Sequence, residues 1–463
     1  MKPVLLLNVA GLTRRQIDES TPNLRSLATR GDCAPMRTVL PAVTCSAQAT
    51  MLTGLMPSEH GCVGNGWFFR DLGEVWFWRQ SNALVRGEKL YEAARELEPG
   101  FTCAKLFWWW NMGAAVDWSI TPRPFYPADG RKLLAVYGQP DEFRAGMERD
   151  LGKFPFFDFW GPKAGLGSSR WIADATMRTM RTYRPMLTMA YLPHLDYDQQ
   201  RHGPRSQQGK RALVEIDAIV GELVACADEV GAETVVVSEY GLEEAATPVH
   251  VNRALREHNL LQVRETPTGE ILDVFASHAF AVSDHQVAHV YAKDRRSCIQ
   301  ARSVLVELPG VADVLEEQGK REHGLDHPNA GDLVVVADKG HWFTYYYWRD
   351  DRNAPDFAPT VDIHRKPGYD PCEMLVDPEL KIPALRVARR LLQKAIGMRY
   401  LMDVIPLDAT LVKGSHGRPF EDAEDGAVFL ASAPFARCGG EPEDGTVAMT
   451  SVKERVLALL QRD

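Results

Sequence analysis

The sequence predicts an α/β protein with a central, mostly parallel sheet flanked by helices, and two observations support this prediction. Short aliphatic runs recur along the chain, and polar residues follow each of them at once, as at 3–8, 187–196 and 233–239. A stretch with helical apolar spacing separates the last two runs. The order strand, helix, strand is typical of an open α/β sheet, whose ligands bind at the carboxyl edge.

The elements of this sheet follow in chain order. The run 3–7 is short and wholly apolar, which predicts a buried parallel strand that ends at Asn8. Thr21 and Pro22 predict the N-cap and the first residue of a helix. Four later elements are predicted from the same patterns: a strand over 187–192, a helix over 212–230, a strand over 233–237 and a final helix over 451–460 that opens with a capping box.

Residues 1–463 are predicted to form a single domain that carries a smaller lobe and a loop insertion. The stretch 265–330 mixes short strand-like runs with a helix from about 298 to 308, which predicts the inserted lobe. The run 333–336 is predicted to return to the main sheet. Residues 341–410 contain many Pro, Asp and aromatic residues and predict an aromatic-rich loop insertion.

The composition narrows the class of protein. A formal net charge of −9 argues against binding to a nucleic-acid polymer, which favours a basic stripe. No apolar segment reaches membrane length without a charge, and the opening run 4–7 is too short for a signal peptide, so no membrane span is expected. The eight cysteines form no CxxC pair, which favours a reduced, cytoplasmic compartment. The sequence gives no indication of the oligomeric state.

The stretch from Pro41 to Gly61 predicts a reactive hydroxyl. Thr44 lies just before a run of small residues that predicts a helix, and Gly54 and Pro57 mark the end of that helix. The first turn of a helix has unpaired backbone N–H groups and the positive end of the helix dipole, and both favour a phosphate and a nucleophile that loses its proton. If Thr44 is that nucleophile, the protein is a phospho- or sulfo-transfer enzyme.

At this point the chain resembles the alkaline phosphatase superfamily, in its nucleotide pyrophosphatase/phosphodiesterase branch, and it is similar to phosphonoacetate hydrolase as well. The motifs that carry the resemblance are 44–61, 63–65, 196–204, 235–241 and 414–417. The resemblance implies an alkaline-phosphatase-like fold with divalent ions at the carboxyl edge of the sheet. It also implies Thr44 as the nucleophile, with Asn65 and the backbone N–H groups near Cys45 holding a phosphate oxygen.

The resemblance further implies the positions of the metal ligands. By matching motifs they are Asn8, Asp196, Gln200, Glu239, Tyr240 and His416. Asn8 carries an amide where the family has a carboxylate. Gln200 and Tyr240 replace histidines, and Glu239 is one methylene longer than aspartate. This oxygen-rich set suits a harder ion such as Mg²⁺, Mn²⁺ or Ca²⁺ better than a tight pair of Zn²⁺ ions. One or two divalent ions are expected, while an altered site without an ion stays open.

Asp198 and His202 form an alternative pair of metal ligands. They have the same spacing of four as Asp196 and Gln200, so either pair can face one ion from one side of a helical turn. The match of Gly203 and the following proline to the family favours Asp196 and Gln200.

A second group of candidates lies in the loop that contains His364, Arg365 and Lys366. Basic groups beside Asp362 and Asp370 suit the recognition of a phosphate or carboxylate, which predicts a substrate-binding segment. The alternative is a surface loop with internal salt bridges.

Other histidines and the aromatic clusters have a simpler interpretation. His250 lies near the sheet edge and could approach the phosphate or a metal ion, but a structural role in its loop is favoured. Asp284, His285 and His289 are candidate ligands by residue type, and a packing role in the inserted lobe is favoured for them. Four aromatic clusters are expected mainly in the core, with at least one lining a pocket. These clusters are 67–69, 76–78, 107–110 and 342–348.

Two functions follow from these residues. The first is a metal-dependent hydrolase that cleaves phosphodiester or pyrophosphate bonds of a small phosphorylated substrate through Thr44. The alternative is a catalytically altered or inactive family member that binds a phosphorylated ligand or assists a biosynthetic pathway. Thr44 and Asn65 favour the first, and the four altered ligand positions favour the second. A sulfatase is less favoured, because Cys45 lacks the Cys-x-Pro-x-Arg context.

Overall fold

A nine-stranded sheet forms the centre of the protein in the computed structural model, which describes residues 1–128, 132–398 and 400–461. In spatial order its strands are Val447–Ala448, Asp32–Arg37, Ala427–Ala431, Glu233–Val237, Val4–Val9, Leu187–Leu192, Cys103–Leu106, Trp118–Pro122 and Val136–Gln139. The five strands from Glu233–Val237 to Trp118–Pro122 are parallel. Two antiparallel pairings occur on one side of them and one on the other, and the edge strand Val447–Ala448 pairs in parallel with Asp32–Arg37. The predicted α/β class is therefore confirmed.

The three strands predicted from aliphatic runs lie together at the middle of this sheet. Val4–Val9 pairs in parallel with Leu187–Leu192 on one side and with Glu233–Val237 on the other. Every residue of the three strands is buried, because helices cover both faces of the sheet. Their carboxyl ends meet at one edge, as the pattern of polar residues predicts.

The described α-helices include those predicted. They are Pro22–Arg30, Thr44–Thr53, Pro57–His60, Leu90–Leu97, Asp141–Leu151, Phe156–Phe159, Leu166–Tyr183, His194–His202, Gln207–Glu229, Val251–Glu257, Arg295–Leu305, Glu317–Glu322, Pro383–Ala395 and Val452–Gln461. Thr21 is the N-cap of the first helix, as predicted, but its hydroxyl donates to the carbonyl of Gln16. The carboxylate of Asp217 accepts the N–H groups of Asn23 and Leu24 instead.

A second sheet has four antiparallel strands and lies outside the first. Its spatial order is Ala279–Asp284, Val287–Ala292, Leu333–Ala337 and Val311–Leu315. The prediction that the run 333–336 returns to the main sheet is wrong, because this strand pairs with Val287–Ala292 and Val311–Leu315. A valine-rich run is compatible with a central position in either sheet, so its composition does not identify its neighbours.

Four two-stranded ribbons complete the described strands. They pair Gly66–Phe69 with Glu74–Phe77, Glu243–Glu244 with Gly414–Ser415, Thr247–Val249 with His341–Phe343, and Val263–Thr266 with Gly269–Leu272. All eight cysteines are free thiols. No helix within the described residues combines the length and the apolar character that crossing a bilayer requires.

Candidate active site

The carboxyl edge of the sheet brings Asn8 and Glu239 into contact. Asn8 pairs in register with Val237 on the neighbouring parallel strand, so Glu239, two residues further on, projects beyond the edge beside it. The Asn8 amide donates to Glu239 Oε1 at 2.7 Å. Both side chains are fully buried. The amide at residue 8 thus serves as a hydrogen-bond donor to the carboxyl group that the next strand supplies.

Thr44 is the first residue of the helix Thr44–Thr53. The preceding Val43 is extended, and Gly54 ends the helix in the left-handed conformation at φ 74°, as the motif predicts. The Thr44 hydroxyl donates to Glu239 Oε2 at 3.2 Å and lies 3.3 Å from the hydroxyl of Tyr240. The helix therefore fixes this hydroxyl against a carboxyl group.

Gln48 completes the surroundings of Glu239. It lies one helical turn after Thr44, on the same face, and donates to Glu239 Oε1 at 2.5 Å. The backbone N–H of Trp109 donates to Gln48 Oε1 at 2.6 Å and fixes the orientation of this amide. Burial raises the pKa of Glu239 to about 7, although the hydrogen bonds from Gln48, Asn8 and Thr44 favour the ionised form.

Asn65 lies beside the start of the same helix, but its amide is engaged at both ends. Its Oδ1 accepts the backbone N–H of Cys45 at 2.9 Å, and its Nδ2 donates to Asp284 Oδ1 at 3.1 Å. Asp284 Oδ2 also accepts the Asn65 backbone N–H at 2.7 Å. The Cys45 N–H, predicted to hold a phosphate oxygen, is thus held by Asn65. Asp284, expected to pack within the inserted lobe, contacts the site.

Asp196 and Gln200 form a second cluster on the helix His194–His202. Gln200 Nε2 donates to Asp196 Oδ2 at 2.7 Å, and the hydroxyl of Tyr369 donates to Gln200 Oε1 at 2.8 Å. His416 Nδ1 lies 2.8 Å from the carbonyl oxygen of Ala42. Because a carbonyl only accepts hydrogen bonds, the ring proton is on Nδ1, and Nε2 is unprotonated and carries a free lone pair. His416 Nε2 lies 4.0 Å from Asp196 Oδ1. Neither of these two atoms has a hydrogen-bond partner among the described residues.

Four stacked rings fill the space between the two clusters. The ring centroids of Tyr240 and His416 are 3.4 Å apart, with an angle of 7° between the planes. His285 lies 3.8 Å from His416, and Tyr369 lies 3.6 Å from His285. All four rings are buried. Burial lowers the pKa of both histidines well below the usual value, so the stack is neutral near neutral pH.

The residues around Glu239 do not fit a bound metal ion. Glu239 Oε1 accepts hydrogen bonds from Asn8 and Gln48, and Oε2 accepts one from Thr44, so the free ligand positions are one lone pair on Oε2 and Asn8 Oδ1, which is unpartnered within the residues described. A catalytic metal site uses three protein ligands, so a third would require one of these donors to be displaced. Displacing these donors leaves buried amide N–H groups without partners, which is costly. The predicted ligation by Asn8, Glu239 and Tyr240 is therefore not assembled.

The other predicted metal position retains two free ligand atoms. In the part of the chain that the structure describes, Asp196 Oδ1 and His416 Nε2 are unpartnered, whereas catalytic zinc sites use three protein ligands. Gln200, the predicted third ligand, uses its NH₂ on Asp196 and its carbonyl on Tyr369. Within the described ranges, no group of three or more His, Cys, Asp or Glu side chains is arranged to hold a metal ion. The predicted two-ion shell does not fit this set of contacts.

The alternative pair of ligands lies away from these clusters. Asp198 forms an ion pair with Arg201 at 2.9 Å, and His202 is exposed at the end of its helix. Asp196 and Gln200, on the opposite face, are the pair that lies beside His416.

The loop predicted to bind substrate has internal partners. Lys366 is fully buried and pairs with Asp370 at 2.7 Å and Glu373 at 2.8 Å, so its charge is neutralised within the loop. Arg365 is exposed and lies 3.2 Å from Asp362. His364 is largely enclosed, and burial lowers its pKa to about 4. This loop contributes Tyr369 to the ring stack, and the structure favours internal salt bridges for its cations.

Sequence reasoning missed four side chains of the site: Gln48, Asp284, His285 and Tyr369. Gln48 has a signal, because it is the polar residue at i+4 from Thr44 in a helix of small residues. Asp284 and His285 lie at the turn of a hairpin between Ala279–Asp284 and Val287–Ala292, and His285 has φ 59°. No local pattern indicates that this turn reaches the sheet edge.

A family model described as type I phosphodiesterase / nucleotide pyrophosphatase matches residues 4–370. The chain is 27% identical over 217 residues to an uncharacterized pyrophosphatase/phosphodiesterase of Schizosaccharomyces pombe, a match that covers 44% of this chain and 36% of that protein. The matched part thus spans little more than a third of the length of this curated relative.

Two solved structures share the fold. Phosphonoacetate hydrolase from Sinorhizobium meliloti 1021, in complex with phosphonoformate, has a TM-score of 0.62 at 16% identity, covering 99% of this chain and 96% of that one. Murine ectonucleotide pyrophosphatase / phosphodiesterase 5 has a TM-score of 0.58 at 14% identity, covering 100% and 96%. The predicted alkaline-phosphatase-like fold is confirmed by these likenesses.

Proposed function

The chain belongs to the type I phosphodiesterase / nucleotide pyrophosphatase family, and from this premise we propose that it hydrolyses a phosphodiester or pyrophosphate bond of a small phosphorylated substrate, with Thr44 as the nucleophile. The observation that carries the proposal is the Thr44 hydroxyl at a helix start, 3.2 Å from Glu239 Oε2. A hydroxyl is a weak nucleophile unless a base takes its proton, and Glu239 is positioned to do so.

The reaction has two steps. Thr44 Oγ1 attacks phosphorus, its proton passes to Glu239 Oε2, and the leaving oxygen departs with the electron pair of the P–O bond. Water then attacks the threonine phosphate ester, and the Thr44 oxygen leaves with the electron pair of its P–O bond and takes the proton from Glu239. The water keeps one proton on the new P–OH group and releases the other to solvent, which balances the charge of the oxygen that left in the first step. Proton transfer of this kind contributes about 10²- to 10⁴-fold to a rate. No step is assigned to a metal ion, because the contacts of Glu239 do not accommodate one.

Neighbouring groups hold the nucleophile and the phosphate. The positive end of the helix dipole lies at Thr44 and favours negative charge on the attacked group. Asn65 fixes the first turn of the helix through the Cys45 N–H. The Tyr240 hydroxyl, 3.3 Å from Thr44 Oγ1, is the donor best placed to hold a developing oxyanion.

The test compares turnover of a panel of nucleotide pyrophosphates and phosphodiesters by the wild type, Thr44→Ala and Thr44→Ser. We expect Thr44→Ala to lose at least about 10³-fold in kcat and Thr44→Ser to retain part of it. Thr53→Ala is the matched control, because Thr53 lies at the far end of the same helix and donates to Ala49. Turnover by Thr44→Ala equal to that of the wild type would exclude Thr44 as the nucleophile.

The internal hydrogen bonds of the site favour a second function, the binding of a phosphorylated ligand without hydrolysis. Asn65, Cys45 and Glu239 are held by internal hydrogen bonds, an arrangement that suits a family member that binds a phosphorylated ligand without cleaving it. Calorimetric binding of a nucleotide without turnover, in buffers with EDTA or with added Mg²⁺, Mn²⁺, Ca²⁺ or Zn²⁺, would favour this second function over the first.

A further inference from the structure

The helix Pro383–Ala395 presents its apolar side to solvent. None of its residues is buried. Leu385 is 63% exposed, Leu392 62% and Ile396, just after the helix, 63%. At 100° per residue these three side chains lie within a narrow arc of the helix surface. Leu391, at 50%, and Ala388 and Ala395 extend the same face.

The polar side of this helix faces the protein. Arg386 and Arg390 both pair with Asp403, and Arg390 Nη2 lies 2.8 Å from its Oδ2. Val387 packs against the hydrophobic cluster of the second sheet. A surface helix of a globular protein normally buries its apolar stripe against the core. Here arginines anchor the helix, and the leucines point away from the protein.

The charge around this face is one-sided. Six basic residues and no acidic residue occur between 380 and 402, in a chain whose net charge is −9. Arg386 and Arg390 form ion pairs with Asp403, whereas Lys381 and Arg389 form no ion pair within the described part of the chain. Lys394 lies 5.9 Å from the ring centroid of Tyr400. Cations therefore flank an apolar face in an otherwise acidic protein.

We propose that this face binds the surface of an anionic lipid membrane. A helix that combines an apolar face with Lys and Arg on its polar side lies in the plane of a membrane interface, with the leucines among the acyl chains and the cations at the headgroups. The neighbouring exposed Met398, Tyr400 and Leu401 extend the contact, and tyrosine is favoured at this depth.

A second copy of the chain fits this apolar face less well than a membrane does. In a two-fold dimer the same face meets itself, so the cations of both copies would be brought together without counter-charges. A groove-forming partner protein is also less favoured, because a helix with no buried residue protrudes and offers no walls of its own. A membrane needs neither a counter-helix nor a groove.

The test is flotation of the purified full chain with vesicles of phosphatidylcholine alone or with about a third of phosphatidylglycerol. We expect binding to the anionic vesicles that falls as salt rises, and little binding to the neutral ones. The double variant Leu385→Ser/Leu392→Ser should lose at least about tenfold in partition coefficient. Lys381→Glu/Arg389→Glu should lower binding to anionic vesicles only.

Phe157→Ser is the matched control, because Phe157 is 69% exposed on another short helix and should leave flotation unchanged. All variants should keep the circular dichroism and thermal midpoint of the wild type, since they alter exposed side chains. Failure of the wild type to float with anionic vesicles overturns the proposal, as does wild-type flotation by the leucine variant. A dimer in sedimentation velocity that the leucine variant abolishes, without vesicle binding, assigns the face to a second copy and also overturns it.

Discussion

Replacing Glu239 by glutamine is expected to stabilise the protein while abolishing its turnover. Burial raises the pKa of this carboxyl from the ordinary 4.5 to about 7. Each unit corresponds to about 1.4 kcal/mol, so the ionised group costs about 3 kcal/mol of unfolding free energy above about pH 8. The glutamine side chain keeps a carbonyl for the amides of Asn8 and Gln48 and presents its NH₂ to the hydroxyls of Thr44 and Tyr240, which can accept.

The sign of the effect follows from the direction of the shift. An acid whose pKa rises on folding contributes most stability below its ordinary pKa and loses that contribution as the pH rises through the folded pKa. The Glu239→Gln variant lacks this loss, so it should match the wild type near about pH 5 and exceed it by about 2–3 kcal/mol near about pH 8. Asp196 and Asp284 also have raised pKa values, so they lower the unfolding free energy of the wild type and of the variant equally as the pH rises.

The assay is urea unfolding at several pH values, with turnover measured on the same preparations. Glu19→Gln serves as the control, because its carboxyl is exposed and its loss should change neither quantity. If Glu239→Gln is less stable than the wild type near about pH 8, the raised pKa is not the governing effect. If it retains wild-type turnover, Glu239 does not accept the Thr44 proton.

Three further predictions concern the neighbours of this carboxyl. Asp284→Asn should lower the free energy of unfolding in urea by about 2 kcal/mol near about pH 4, where the raised pKa of Asp284 costs little, because the new NH₂ group faces the N–H donors of Asn65; an unchanged midpoint at that pH would contradict this. Gln200→His gives Asp196 an imidazole neighbour in place of an amide, and elemental analysis should find about one bound zinc ion per chain; a content equal to that of the wild type would refute it. Tyr240→Phe should lower kcat about tenfold without changing the unfolding midpoint, and unaltered kcat would remove Tyr240 from the mechanism.

Local patterns in the sequence were sufficient to predict the sheet edge and the position of Thr44 at a helix start. Aliphatic runs predict that Asn8 and Glu239 follow the ends of two strands, because a wholly buried parallel strand has a recognisable composition. Thr44 was placed at a helix start from the small residues after it and from Gly54. These features depend on a few consecutive residues, so a single sequence is enough to predict them.

The contacts of the site could not be predicted in the same way. The type of residue at 8 and 200 indicates which atoms are present, but an amide offers both a donor and an acceptor. Only the fold determines that Asn8 and Gln200 direct their NH₂ groups at carboxyl groups, where they act as hydrogen-bond donors. His285 comes from a hairpin of the second sheet, and its approach to the main sheet depends on packing between distant segments.

The ring stack has a consequence for how a ligand reaches Thr44. His285 belongs to the second sheet. His416 is hydrogen-bonded to both sides, because its ring Nδ1 donates to the Ala42 carbonyl and its own carbonyl accepts the Gln286 N–H. Thr44 itself is only 5% exposed, so little of its side chain is open to a substrate in this arrangement. If a substrate reaches Thr44 through separation of this hairpin from the sheet edge, its association rate should be limited by that separation and not by collision.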